Sequence, residues 1–134
     1  MHLDHIVFNA VDVEKMIEFY SEILGLPTER LDEYRSGKAP FPSLRINDAT
    51  IIDLFPKQMW QGKSHSGPGH ENLNHFCLAL SQEQWQELLR RLEAGRVPVE
   101  EGPVTRWGAR GDGTSIYFRD PENNLIEAKF YAAT

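Results

Sequence analysis

The sequence predicts an α+β fold built from two tandem βαβββ modules, and two observations carry that prediction. Leu3-Asp4-His5-Ile6-Val7-Phe8 recurs as Leu73-Asn74-His75-Phe76-Cys77-Leu78, an offset of 70 residues from His5 to His75. Farther along, Thr50-Ile51-Ile52-Asp53 is echoed by Asn124-Leu125-Ile126-Glu127, an offset of 74 from Asp53 to Glu127. The halves are thus of similar length, each with one histidine and one acid at matching places. At 134 residues the chain can bury a real core but cannot hold two independent domains. A single domain over 1–134 is expected, with module one at about 1–60, a linker at about 61–70 and module two at about 71–134.

The first module opens with an apolar run, Leu3 to Asn9, of strand character. Asp12 is placed to cap a helix whose apolar residues Val13, Met16, Ile17, Tyr20 and Leu24 keep helical spacing. Gly25 and Pro27 end it. Extended stretches are expected at Arg30–Tyr34, Ser43–Ile46 and Ala49–Phe55, with Asn47-Asp48 turning the last pair. The second module repeats the order. Asn74–Leu80 reads as a strand, and Ser81-Gln82-Glu83-Gln84 as a capping box for a helix with the stripe Trp85, Leu88, Leu89 and Leu92. Gly95 and Pro98 close that helix. Further strands are expected at Val97–Glu101, Ser115–Arg119 and Leu125–Tyr131, the last two joined by the turn Asp120-Pro121-Glu122-Asn123-Asn124. Gln61 to His70 has the composition of a linker.

Composition excludes several classes of function. A net charge of −6 offers a phosphate backbone no general attraction, so no nucleic-acid partner is expected. No apolar run approaches the roughly 20 residues of a membrane span. Met1-His2-Leu3-Asp4 has neither the basic nor the apolar region of an export signal. Cys77 is the single cysteine, so no internal disulfide can form. A cytoplasmic protein is the expectation.

Strand side chains alternate between faces. His5 then shares a face with Val7, Asp53 with Ile51 and Phe55, His75 with Cys77, and Glu127 with Leu125. A carboxylate among apolar neighbours is costly unless it is paired or holds a cation. Taken singly, a strand histidine or acid has an ordinary reading as a hydrogen-bonded or solvated residue. The same residue types at the same point of both copies are what chance does not readily supply. Two imidazoles and two carboxylates facing one another form a natural ligand set for a borderline divalent metal.

Three stretches carry a family resemblance: Leu3-Asp4-His5-Ile6-Val7, Phe19-Tyr20-Ser21-Glu22-Ile23-Leu24-Gly25-Leu26, and Ser115 through Tyr117-Phe118-Arg119-Asp120-Pro121 to Leu125-Ile126-Glu127. The chain resembles the vicinal oxygen chelate superfamily, which includes glyoxalase I, fosfomycin-resistance proteins, extradiol dioxygenases, methylmalonyl-CoA epimerase and the bleomycin-resistance proteins. The resemblance covers nearly the whole chain, and Tyr-Phe-Arg-Asp-Pro…Ile-Glu is its most specific part. It implies paired modules around an open, barrel-like cleft holding a divalent metal. The implied ligands are His5, His75 and Glu127, with Asp53 as a fourth. The glyoxalase branch has glutamate at that fourth place, one methylene longer than Asp53.

The resemblance further implies a small-molecule substrate and a homodimer. Nitrogen and oxygen ligands suit Mn, Fe, Co, Ni or Zn alike. Histidine must be neutral to ligate, so affinity is expected to weaken below about pH 6. The expected activity is that of a metal-dependent lyase or isomerase working on adjacent oxygen atoms through a metal-stabilised oxyanion. Glu127 or Asp53 would serve as the proton-transfer base. Tyr117 matches a substrate-contacting tyrosine of the fosfomycin branch. Epoxide opening of the fosfomycin type is the first alternative, ring-cleaving dioxygenation the next. A metal-free drug-binding protein is the rival from another class.

Other features carry less. Trp107 to Gly113 is a glycine-rich stretch expected to form an open loop, with Arg106 or Arg110 as anion contacts or simply solvated cations. Cys77 reads as a small apolar residue. His2, His65 and His70 have no counterpart in the repeat.

Overall fold

A computed structural model describes residues 1–62 and 73–133. The chain divides into two compact units, Met1–Gly67 and Pro68–Thr134. Most of the expected linker, with His65 and His70, lies outside the described residues.

Unit one runs β1 (His5–Asn9), α1 (Val13–Glu18) continuing into a π-helical turn (Phe19–Ile23), β2 (Thr28–Glu29), α2 (Leu31–Arg35), β3 (Ser43–Asn47), β4 (Thr50–Phe55) and α3 (Lys57–Trp60). Its sheet has the order β1-β4-β3-β2. β1 pairs parallel with β4, and the other pairs are antiparallel. Asp12 caps α1, its Oδ1 accepting the Lys15 N–H at 3.0 Å, a bond worth about 1 kcal/mol. The helix buries Val13, Met16, Ile17, Phe19 and Tyr20 on the face of the sheet that presents Phe8, Leu44, Ile52 and Leu54. Each such side chain contributes roughly 1.5–3 kcal/mol of apolar burial. The Ser21 hydroxyl donates to the Ile17 carbonyl at 2.6 Å, and the ladder widens there from α to π spacing. Gly25, at φ 73°, then turns the chain out of the helix. The Trp60 indole N–H reaches the Phe55 carbonyl at 3.1 Å and the Ala10 carbonyl at 3.3 Å, tying the ends of β1 and β4 together.

Unit two runs β5 (Phe76–Ala79), α4 (Gln82–Ala94), β6 (Glu101–Gly108), β7 (Gly111–Arg119) and β8 (Leu125–Phe130). The sheet order is β5-β8-β7-β6, the same connectivity as in unit one. The capping box forms as read: Gln84 N–H donates to Ser81 Oγ at 3.1 Å, and Ser81 N–H to Gln84 Oε1 at 3.0 Å. Trp85, Leu88 and Leu92 are buried, while Leu89 is half-buried. The Trp85 indole donates to the Ala128 carbonyl at 2.9 Å and its ring meets Phe130 edge-on. Asp120 ties the β7–β8 turn by accepting from the backbone of Glu122 and Asn124.

The α+β class and the duplicated βαβββ order are both present, and each unit is a four-stranded mixed sheet with few helices. Three local expectations are corrected. Arg30–Tyr34 is not a strand: Arg30 takes a left-handed conformation at φ 58° and opens α2, whose Arg35 grips Glu14 on α1 through both Nε and Nη2. Val97–Glu100 is irregular, and the strand begins at Glu101. Trp107–Gly113 is no open loop but the tip of the β6–β7 hairpin, which turns on Ala109 and Arg110 alone. Among the described residues, no helix is long and apolar enough to cross a membrane.

Candidate metal centre

The register makes the repeat structural. In unit one Val7 stands opposite Asp53 across the parallel pair, and in unit two Cys77 stands opposite Glu127. Ile52 and Leu54 flank Asp53 and turn toward the helix, as Ile126 and Ala128 do around Glu127, all of them fully buried. The two acids therefore project from the other face of each sheet. Asp53 is 7% exposed and Glu127 4%.

Each histidine is held by the residue before it. His5 Nδ1 lies 2.7 Å from Asp4 Oδ2, and His75 Nδ1 lies 2.6 Å from Asn74 Oδ1. The Asp4 carboxylate is an acceptor, so His5 Nδ1 carries the hydrogen, while the His75 ring lies between Asn74 Oδ1 and Glu127 Oε1. The Asp4 bond also raises the His5 pKa; desolvation works against it, and the charge of Asp53 adds to the rise.

In unit two the histidine and the acid meet. His75 Nε2 and Glu127 Oε1 are 3.1 Å apart, and Tyr117 packs edge-on to the imidazole. Glu127 Oε2 takes the Ser115 hydroxyl at 2.6 Å and the Lys129 ammonium at 3.3 Å. Burial alone would raise the Glu127 carboxyl. Hydrogen bonds from Ser115, Tyr117 and Lys129, with the Lys129 charge, outweigh it and hold the group below the usual carboxylate range. Glu127 is thus an anion at neutral pH. Tyr117, opposite it in the register, is pushed up by burial and by Glu127 and keeps its proton.

The donor set fits a cation. An imidazole nitrogen and a carboxylate oxygen side by side are donors of the kind that a borderline divalent ion takes. Either a proton or a metal ion satisfies that pair. In unit one Asp53 is committed differently, its Oδ1 accepting the Ser43 hydroxyl at 2.6 Å. Taken by itself, neither unit gathers three or more His, Cys, Asp or Glu among its described residues into a group able to hold a metal.

The secondary candidates resolve simply. Arg106 pairs with Glu101, and Arg110 lies over the Tyr131 ring at 5.0 Å. The surroundings of the Cys77 sulfur and the charge of Glu127 raise its thiol to about 11, so it stays protonated. Sequence reasoning missed Asp4, Asn74, Ser43, Ser115 and Lys129. The repeat held a signal for the first two, since each precedes its histidine.

The glyoxalase/bleomycin resistance protein/dioxygenase superfamily model matches residues 2–128. The chain belongs to that superfamily. It is 34% identical over 130 residues to virulence protein STM3117 of Salmonella typhimurium, covering 96% of this chain and 83% of that one. The crystal structure of that virulence protein superposes with a TM-score of 0.76 at 28% identity, covering 98% of each chain. The glutathione transferase FosA of Serratia marcescens is 23% identical over 126 residues, covering 93% of this chain and 77% of that one. The fold is also that of lactoylglutathione lyase from Agrobacterium tumefaciens, with a TM-score of 0.66, 23% identity and coverage of 96% and 92%. Divalent metals and dimers around small-molecule substrates are common in the superfamily.

Proposed function

We propose that this protein is a divalent-metal-dependent enzyme acting on a small substrate with adjacent oxygen atoms. The observation that carries the reading is the meeting of His75 Nε2 with the ionised Glu127 Oε1 at 3.1 Å. His5, His75 and Glu127 would hold the metal, which supplies Lewis-acid polarisation of substrate oxygens when bound. Asp4 would keep His5 in the ligating tautomer, and Asn74 would do the same for His75. Glu127, held by three donors below its ordinary range, suits a ligand better than a base. Proton transfer in a lyase or isomerase reaction then falls to Asp53, steadied by Ser43. On substrate binding Tyr117 would turn its hydroxyl hydrogen from Glu127 to a substrate oxygen beside it. The reading places the protein in the cytoplasm as a homodimer. β1 and β5 are edge strands and offer a physical reason for pairing.

A second reading, addition of a nucleophile to an epoxide as in fosfomycin resistance, draws on the FosA relationship and the protonated Tyr117. It needs the three ligands and no Asp53. Metal content after loading with Mn, Fe, Co, Ni and Zn tests the shared core of both. About one ion per chain is expected, lost in His5→Ala, His75→Ala and Glu127→Ala. No retained metal under any loading would favour a metal-free ligand-binding protein. Asp53→Asn separates the two chemistries, silencing isomerisation and sparing epoxide opening.

A further inference from the structure

Unit two contains a buried cation with no counterpart in unit one. Lys129 is 1% exposed, and the equivalent position in the first module is Phe55. A lone buried ammonium is costly, so its surroundings are informative. Nζ donates to the Arg106 carbonyl at 2.6 Å and stands 3.3 Å from Glu127 Oε2. To reach Arg106 on β6, the side chain crosses β7, and the hairpin is hollowed for it. A Cβ on Gly113 would come within 2.7 Å of the Phe130 carbonyl and 3.0 Å of Lys129 Cγ. A Cβ on Gly108 would press on the Tyr131 hydroxyl and stand 3.0 Å from Lys129 Cε. The two glycines are a passage for one lysine stem.

The consequence falls on Glu127. Its two oxygens have separate partners: Oε2 takes Lys129 and Ser115, and Oε1 faces His75. We propose that Lys129 is a positioning residue that occupies Glu127 Oε2, so that Glu127 meets a metal through Oε1 alone. The inference rests on the metal-dependent reading above. An unrestrained carboxylate can bind an ion through both oxygens; with Oε2 held by the ammonium, Glu127 would offer a single oxygen. Ser115 shares the task but, being neutral, cannot offset the carboxylate charge as Lys129 does.

The test uses the full chain loaded with Co(II), whose visible absorption weakens and shifts as its coordination number rises. Wild type is compared with Lys129→Met, similar in length but without donors, with Lys129→Gln as a second variant should the first not fold, and with Lys129→Arg. Near-UV circular dichroism confirms folding. The expected result is one Co(II) in each protein, a weaker and shifted visible band in the Met or Gln variant, and the wild-type band retained in Lys129→Arg. Spectra identical in wild type and the neutral variants overturn the positioning role while leaving the metal reading intact. Wild type that takes up no Co(II) overturns both.

Discussion

The two halves share a connectivity and a register, yet they treat their acid and histidine differently. In the first, His5 leans on a carboxylate, Asp4, and Asp53 is turned to Ser43. In the second, His75 leans on a neutral amide, and Glu127 reaches the imidazole while Ser115, Tyr117 and Lys129 steady it. One methylene is a large part of the difference: from equivalent backbone positions, glutamate extends to the histidine while aspartate stops at the neighbouring strand. The duplicated frame thus supplies positions, and the side chains divide the labour. In unit two the histidine and the acid meet, and in unit one the acid is bound to the neighbouring strand instead.

The largest test of that division compares the two acids. Glu127→Gln is expected to abolish metal loading, whereas Asp53→Asn should weaken it no more than the roughly 10-fold typical of a supporting partner. Metal analysis after dialysis reads both. Equal losses would mean that the halves ligate alike. Next come the equivalent core positions Ile52 and Ile126, both fully buried. Replacing either with alanine should cost about 2–5 kcal/mol, and urea unfolding should place the two within about 1 kcal/mol of each other if the frames are equivalent in packing.

Acidity distinguishes the halves further. The raised His5 pKa means that protons compete with metal at a higher pH than for a free imidazole near 6.5. In Asp4→Asn the bond that raises it is weakened, so the midpoint of metal uptake against pH should move down; an unmoved midpoint would sink that account. For folding, the signs are opposite. The His5 contribution is present below about pH 6.5 and is lost as pH rises through its folded value. The Glu127 contribution is present above about pH 4.5 and is lost as pH falls through its depressed value. Glu127→Gln should therefore flatten the acid limb of the stability curve. The smallest effect concerns the caps: Ser81→Ala, which breaks a reciprocal pair, should cost about 1 kcal/mol and somewhat more than Asp12→Ala. Thermal unfolding of the two variants checks that order.

Much of the fold was legible because its signals are local. The Ser81–Gln84 box, the Asp12 cap and the Asp120 turn are each decided within a few residues. The repeat made the shared order of elements in the two halves readable. Misreadings arose where a contact distant in sequence decides the structure. Leu31–Arg35 is helical with Arg35 held by Glu14, and β6 and β7 run to a two-residue turn with Lys129 packed against Gly108 and Gly113. The candidate site divides the same way. His5, Asp53, His75 and Glu127 stand out by repetition, but Ser43 and Ser115 become visible only once β3 and β7 are laid beside β4 and β8. Nothing in the sequence alone told that the Lys129 stem would turn inward.

The tryptophans described within each unit have a practical consequence. Trp60 sits half-buried at the foot of the first sheet, with its indole divided between two carbonyls. Trp85 is locked between α4 and the second sheet, and Trp107 stands 80% exposed at the hairpin tip. With Trp107 replaced by phenylalanine, each half of the molecule keeps one native fluorophore in its own environment. Emission from further variants that keep only Trp60 or only Trp85 would show whether the two copies of the repeated unit melt together or one at a time.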